Sequence, residues 1–108
     1  MPDEKRVKTE NIDATMSTRN VILLDVREPK EIEEIGGYDG AINIPMPQLE
    51  KRLGELPKDK AILTACGGGG RASRAAALLE KNGFKVAGFC GLRGYKGAKA
   101  KPLKKGGS

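Results

Sequence analysis

The chain has 108 residues, enough for one small domain but too few for two, and its 38% hydrophobic and 31% charged residues are typical of a soluble globular protein. It contains no histidine, no tryptophan and two cysteines, which excludes a Cys–His hydrolase and argues against the usual zinc sites and a disulfide framework. The net charge is +6. The start of the chain over residues 1–6 is polar, and no run approaches the roughly 20 apolar residues of a membrane span, so we expect a cytoplasmic protein without a membrane segment. We also expect no metal and no cofactor.

Short strands and helices are predicted to alternate along the chain, which is the pattern of a parallel sheet with helices on both faces. Apolar runs predict the strands, while strong helix formers, with prolines near helix starts and glycines after helix ends, predict the helices. In chain order the elements are a strand near 6–8, a helix over 10–16, a strand over 21–25, a helix over 30–35, a strand over 41–44, a helix over 48–53, a strand over 61–65, a helix over 72–82 and a strand over 85–89. We therefore predict one α/β domain over residues 1–98, with a central parallel sheet of about five short strands flanked by helices on both faces.

The run from Cys66 to Arg71 is the clearest candidate site, because it places a lone thiol, a glycine loop and a cation between a strand and a helix. The loop positions are Gly67, Gly68, Gly69 and Gly70. A cysteine reacts as thiolate, and a free pKa of about 8.5 leaves little thiolate near neutrality, so a nucleophilic Cys66 needs groups that stabilise the anion. Backbone N–H groups at the helix start and the charge of Arg71 would supply them. Sulfur transfer and phosphoryl transfer both fit this chemistry; the plainer alternative is a buried small residue beside a permissive linker.

Two further candidates lie at the end of the strand over 21–25, where ligands bind in sheets of this kind. Asp25 would accept hydrogen bonds from the glycine loop or pair with Arg71 or Arg27. A structural brace is the favoured interpretation, because buried charges at strand ends are usually paired. Arg27 would either guide a substrate or form a surface ion pair, and the sequence does not choose between these.

The glycine loop is the last of three motifs along the chain. An apolar strand ending in Asp-x-Arg lies at 21–27, a Gly-Ala turn followed by a short strand and a proline at 40–45, and Cys-x-x-Gly-x-Arg is formed by Cys66, Gly69 and Arg71. With these motifs the chain resembles the rhodanese-like domain family over about residues 7–97. The family's sulfurtransferases have four residues between Cys and Arg, as here, whereas related phosphatases and arsenate reductases have five. The resemblance therefore favours sulfur over phosphate.

The resemblance implies a sulfurtransferase that takes sulfane sulfur from thiosulfate, a polysulfide or a protein persulfide. The sulfur would pass through a Cys66 persulfide to a thiol or cyanide-like acceptor. Two alternatives stay open: a non-catalytic or complex-dependent sulfur-carrier or interaction module, and, less favoured, a Cys-dependent phosphatase or arsenate reductase. The chain departs from the family pattern at Gly37-Tyr38, at Cys90 and at Tyr95, and its loop lacks side chains, which leaves the donor open.

Cys90 has two interpretations. If the last two strands are neighbours, as the resemblance implies, Cys90 lies at the same sheet edge as Cys66. It would then resolve a Cys66 persulfide or form a transient disulfide with it. The alternative is that Cys90 is a small residue filling a position where the family has glycine.

Positive charge is concentrated at the end of the chain, since the six charged residues from Gly91 to Ser108 are all cations. We expect residues 99–108 to form a basic, glycine-ended tail without fixed structure. A sharper interpretation is a dock for an acidic protein partner or an anionic substrate, with Arg93 and Lys96 at the rim of the pocket. Nucleic-acid binding is not favoured, because the tail lacks interleaved aromatic residues.

Overall fold

Parallel pairing of short apolar strands builds the centre of the molecule. The computed structural model describes residues 5–18, 20–97 and 99–101. The strands there are β1 (Val21–Asp25), β2 (Gly37–Tyr38), β3 (Ile42–Asn43), β4 (Ala61–Cys66), β5 (Lys85–Gly91) and β6 (Ala100–Lys101). The helices are α1 (Ile12–Met16), α2 (Pro29–Ile35), α3 (Met46–Leu49) and α4 (Gly70–Lys81), with 3-10 turns over Thr9–Asn11 and Glu50–Glu55. Strands β3, β1, β4 and β5 pair in that order as one parallel sheet, which confirms the predicted α/β class.

The register of the middle strands brings their carboxyl ends to one edge. Asp25 of β1 pairs with Ala65 of β4, and Cys66 pairs with Gly91 of β5. The last residues of β1 and β4 are all buried, as expected for parallel strands covered on both faces. The chain segments that follow these strands therefore lie side by side, and the loop after Cys66 is among them.

Helices cover both faces of the sheet. On one face α3 and α4 enclose an apolar cluster that includes Leu24, Ile44, Leu49, Ile62 and Leu79. On the other face Ile12 of α1 packs with Leu23 and Leu63. Each buried side chain of this size contributes about 1.5–3 kcal/mol of transfer free energy, so these two clusters provide the main driving force for folding. Among the described residues, no helix combines the length and the apolar character needed to cross a membrane.

The strand predicted near 6–8 is reduced to a single bridge at the edge of the sheet. Arg6 pairs with Phe89 of β5, and the N–H of Val7 donates to the Phe89 carbonyl at 2.8 Å. The pairing stops there because the chain turns into the 3-10 helix of Thr9–Asn11. Within the described residues, the parallel sheet consequently has four strands and one added bridge.

A bulge in β5 determines which face its last residues occupy. Val86 pairs with Ile62, but the next residue of β4, Leu63, pairs with Gly88. Ala87 is therefore an extra residue in the strand. Because side chains alternate between faces, this insertion shifts every later residue of β5 to the opposite face from the one an unbroken strand would give it.

Two helices, α3 and α4, begin two residues earlier than predicted. α3 starts at Met46, and a 3-10 turn kinked at Arg52 (φ −114°) replaces the rest of the helix predicted over 48–53. α4 starts at Gly70, because Gly69 adopts a left-handed conformation (φ +105°) that turns the chain directly into the helix. The last glycine of the predicted loop is thus the first residue of α4.

Strand β6 lies at the start of the segment predicted as an unstructured tail, residues 99–108. β6 pairs antiparallel with β2, with Tyr38 opposite Ala100, and the N–H of Asp39 donates to the Lys99 carbonyl at 2.7 Å. These bonds satisfy backbone groups that an unstructured tail would leave to water. Residues 99–101 therefore have fixed backbone pairing, and the rest of the predicted basic tail, 102–108, lies outside the described residues.

Candidate active site

Cys66 ends β4, and its side chain points into the turn that begins α4. Its Sγ accepts a hydrogen bond from the N–H of Gly69 at 3.0 Å and a longer one from the N–H of Ala72 at 3.4 Å. Both donors lie at the start of a 12-residue helix, where N–H groups lack partners within the helix and the dipole is positive. Cys66 is only 1% exposed, so water screens these interactions little. The local structure therefore stabilises negative charge on Cys66 Sγ.

The first half of the loop is held by the residues that end and follow β5. The N–H of Leu92 donates to the Cys66 carbonyl at 2.7 Å, and the N–H of Arg93 donates to the Gly67 carbonyl at 3.0 Å. Gly91 permits this approach, since a methyl group there would lie 2.8 Å from the Gly67 oxygen. The loop is thus fixed by β5 at its start and by α4 at its end.

Arg71 lies in the first turn of α4, but its guanidinium pairs with Glu31 of α2. Its two terminal nitrogens donate to the two carboxylate oxygens of Glu31 at 2.8 and 2.9 Å. These hydrogen bonds raise the pKa of Arg71 and lower the pKa of Glu31 to about 2. Arg71 therefore ties α2 to α4, and its charge reaches Cys66 only through space rather than by a hydrogen bond.

Asp25 and Arg27 form a buried ion pair at the end of β1. Each residue is 1% exposed. Nε and Nη2 of Arg27 donate to the Asp25 carboxylate at 3.0 and 2.7 Å, and Nη2 also donates to the Gly36 carbonyl at 3.0 Å. Of the partners predicted for Asp25, the structure supplies Arg27. The ion pair of Arg27 is therefore buried and not a surface pair, and a role of Arg27 in guiding a substrate stays a prediction.

Cys90 lies at the same edge of the sheet as Cys66 but on the opposite face. It pairs with Ala65 and belongs with it to the apolar cluster under α1, whereas Cys66 belongs to the cluster under α4. Burial first, and then electrostatic interactions with Cys66 and Asp25, raise the pKa of the Cys90 thiol to about 12. The structure does not bring the two sulfurs together on one face, and Cys90 occupies a core position.

Two exposed guanidinium groups lie against the glycine loop. Methyl groups at Gly67 and Gly68 would be 3.6 and 3.8 Å from the terminal nitrogens of Arg93, a predicted site residue. Sequence reasoning missed Arg6, whose Nη2 donates to the Gly68 carbonyl at 3.0 Å and whose Nη1 would be 2.8 Å from a methyl group at Gly69. The signal available for Arg6 was the strand predicted around it, since a strand beside β5 brings its residues to this part of the sheet.

A cavity of about 360 Å³ adjoins the site on the side of Arg93. Arg93 and Lys96, the two cations predicted at the rim, line it together with Glu10 and Asp13. Tyr95, which also lines it, donates its hydroxyl to Asp13, and burial together with this hydrogen bond raises the pKa of Tyr95 to about 12. The cavity therefore presents both signs of charge and a neutral phenol at ordinary pH.

The arrangement defines a class of site in which a buried cysteine sulfur accepts hydrogen bonds from backbone N–H groups between a parallel strand and a helix. No histidine occurs in the chain to act as a base. In the part of the chain that the structure describes, no three Cys, Asp or Glu side chains come together as a metal ion would require. The chemistry available is nucleophilic attack by Cys66 and storage of the transferred group on its sulfur.

A sequence profile of the rhodanese-like domain family matches residues 8–100. The match covers most of the chain and includes strand β4, the glycine loop after Cys66 and helix α4. The chain therefore belongs to the rhodanese-like domain family.

Individual proteins to which the chain is similar do not fix one activity. It is 47% identical over 66 residues to uncharacterized protein YqhL of Bacillus subtilis strain 168, and 36% identical over 67 residues to a sulfurtransferase of Allochromatium vinosum. These alignments cover 60% and 62% of this chain and 51% and 62% of the relatives, so the chain spans only about half to three fifths of their length. A rhodanese-like domain protein from Staphylococcus aureus has the same fold, with a TM-score of 0.77 and 24% identity over 94% of this chain and 99% of that one.

Proposed function

We propose that this protein is a sulfurtransferase that moves sulfane sulfur from a donor to a thiophilic acceptor through a persulfide on Cys66. With thiosulfate as donor, the Cys66 thiolate attacks the outer sulfur and forms an S–S bond. The S–S bond of thiosulfate breaks, its electron pair leaves with sulfite, and Cys66 carries a persulfide anion. Cyanide or a thiolate then attacks the outer sulfur, and the electron pair of the persulfide bond returns to Cys66. Polysulfides and protein persulfides would donate in the same way.

One observation carries this proposal: Cys66 Sγ lies 3.0 Å from the N–H of Gly69, inside a loop whose backbone curls around it. An S–S bond of about 2 Å would place the transferred sulfur within the same loop. The N–H groups of the loop would then hold the negative charge of the thiolate and of the persulfide, in the manner of an oxyanion hole. Neither step requires a proton transfer, which fits a chain without histidine.

The test is turnover with a panel of donors, namely thiosulfate, polysulfide and a small persulfide, with cyanide as acceptor and thiocyanate as the measured product. We expect turnover with at least one donor, its loss in Cys66→Ser, and wild-type turnover in Cys90→Ser. Cys90 is the matched control because it is the second buried thiol of the chain and faces away from the loop. The absence of thiocyanate with every donor, or equal turnover in Cys66→Ser, would contradict the proposal.

The burial of Cys66 favours a second candidate, a sulfur carrier that works within a complex. At 1% exposure, the sulfur presents little surface to a large acceptor in the isolated chain. A carrier would accept one sulfur on Cys66 from a small donor but would release it rapidly only when a partner protein is added. Multiple turnovers with small donor and acceptor alone favour the enzyme; a single turnover accelerated by cell extract favours the carrier.

A further inference from the structure

The glycine loop lacks side chains, and two arginines from distant parts of the chain occupy the space beside it. Arg6 precedes α1, and Arg93 follows β5. We propose that Arg6 and Arg93 together bind the anionic end of the sulfur donor and so determine which donor charge the site prefers. This inference rests on the proposed sulfur transfer and adds the group that recognises the donor.

The two guanidinium groups cover adjacent parts of the loop. Arg93 lies against Gly67 and Gly68, while Arg6 lies against Gly68 and Gly69. A methyl group at Gly69 would lie 2.8 Å from Nη1 of Arg6 and would displace that guanidinium, while the φ of +105° is what favours glycine there. The bare loop thereby makes room for cations supplied by other segments.

The charges of these two arginines are available to a ligand. Both side chains belong to exposed residues. Among residues 5–18, 20–97 and 99–101, no carboxylate forms an ion pair with either of them, whereas Arg27, Arg52 and Arg71 are all paired. Arg6 donates one of its five N–H groups to the Gly68 carbonyl, and its guanidinium lies 5.8 Å from the centroid of the Phe89 ring. Its other N–H groups have no hydrogen-bond acceptor among the described residues. Planar guanidinium groups bind oxyanions through two parallel hydrogen bonds, which suits the sulfonate-like oxygens of thiosulfate.

The donor would thus be held at two separate places. Its transferable sulfur enters the loop toward Cys66, where backbone N–H groups receive the charge of the persulfide. Its anionic oxygens stay at the outer side of the loop, where Arg6 and Arg93 lie. Removal of either guanidinium should therefore weaken donor binding, while the amount of persulfide formed at saturating donor stays the same.

Two donors that differ in charge test this directly. Thiosulfate is a dianion and leaves as sulfite; methanethiosulfonate is a monoanion with a methyl group in place of one oxygen, delivers the same outer sulfur and leaves as methanesulfinate. The half-saturating concentration of each donor for persulfide formation is measured by rapid mixing at low ionic strength. For thiosulfate we expect it to rise about threefold to fivefold in Arg6→Ala and in Arg93→Ala, and about tenfold or more in the double variant. For methanethiosulfonate we expect less than about a twofold rise.

Two further variants make the test specific. Arg93→Lys should recover most of the thiosulfate affinity because it keeps the charge. Lys60→Ala removes a cation that precedes β4, at the opposite end of the strand from Cys66. It should leave the half-saturating concentrations of both donors unchanged. If the half-saturating concentration rises equally for both donors in the arginine variants, the arginines only brace the loop. If it rises for neither donor, the arginines do not touch the donor. Each result overturns the inference. A wild-type protein that takes sulfur from neither donor would instead refute the proposed function.

Discussion

Gly69→Ala is the sharpest perturbation of the loop, and Gly70→Ala is its matched control one residue away. Gly69 has a φ of +105°, which L side chains rarely adopt, and its N–H donates to Cys66 Sγ at 3.0 Å. Gly70 is the first residue of α4, is not among the residues of positive φ, and has open space where a methyl group would go. The same chemical change is therefore strained at one position and tolerated at the next.

The expected magnitudes follow from this geometry. A left-handed conformation costs a residue with a Cβ roughly 1–2 kcal/mol, and the loop relieves this strain by moving the N–H of residue 69 away from Cys66. Loss of a hydrogen bond to a charged sulfur costs about 1.5–3 kcal/mol. At about 1.4 kcal/mol per factor of ten, persulfide formation should slow by about tenfold to a little over a hundredfold. Gly70→Ala should be neutral or stabilise the fold by up to about 1 kcal/mol.

Rapid-mixing measurements of sulfite release give the rates, and urea unfolding gives the stabilities. The wild type and Gly70→Ala should release sulfite at rates within about a factor of two, because neither the loop conformation nor its N–H groups change. Gly69→Ala should be slower and less stable. Equal rates for the two variants would refute the argument that the N–H of residue 69 stabilises the sulfur anion.

Asp25→Ala leaves the Arg27 guanidinium buried without a counter-charge, so the free energy of unfolding measured in urea should fall by about 3–5 kcal/mol. The double variant Asp25→Ala/Arg27→Met removes both charges and should lose less stability. Equal losses in the two variants would contradict the assigned ion pair. Arg71 lowers the pKa of Glu31 from 4.5 to about 2. The ion pair between them therefore stabilises the fold fully above pH 4.5, and this stabilisation is lost as the pH falls toward 2. The stability difference between wild type and Glu31→Gln should therefore shrink across that window, and a pH-independent difference would count against the pair. Burial raises the pKa of Cys90 to about 12, so this thiol should resist alkylation at neutral pH until the protein unfolds. Peptide mapping after alkylation measures the labelling. Rapid labelling of Cys90 in the native protein would disprove the burial of this thiol.

The parts of the fold that local sequence signals describe could be predicted from the sequence. β1 is a run of apolar residues with polar neighbours, and its bounds, Val21–Asp25, agree with the prediction. The loop from Cys66 to Arg71 also has its predicted setting between a strand and a helix, because four glycines between an apolar run and a helix-forming run admit few other structures. The short β2 and β6 could not be predicted, since two residues each give no periodicity and their pairing joins distant parts of the chain.

The partners of the charged site residues depend on long-range contacts that carry no local signal. Arg71 is 40 residues from Glu31 in sequence, and Arg6 is 62 residues from Gly68, whose carbonyl it binds. Cys90 faces away from the site because a single extra residue in β5 shifts the alternation of side chains. The position of a bulge is set by how the strand packs against its neighbours, so the sequence pattern alone does not show it.

The proposal that the loop holds a transferred sulfur on Cys66 is tested most directly by locating the sulfur after one turnover. The protein is mixed with excess thiosulfate without acceptor, alkylated, digested and mapped by mass spectrometry, while released sulfite is counted per chain. We expect one added sulfur on the peptide that contains Cys66, none on the peptide that contains Cys90, and one sulfite per chain. Sulfur on Cys90, or sulfite release without any added sulfur on Cys66, would contradict it.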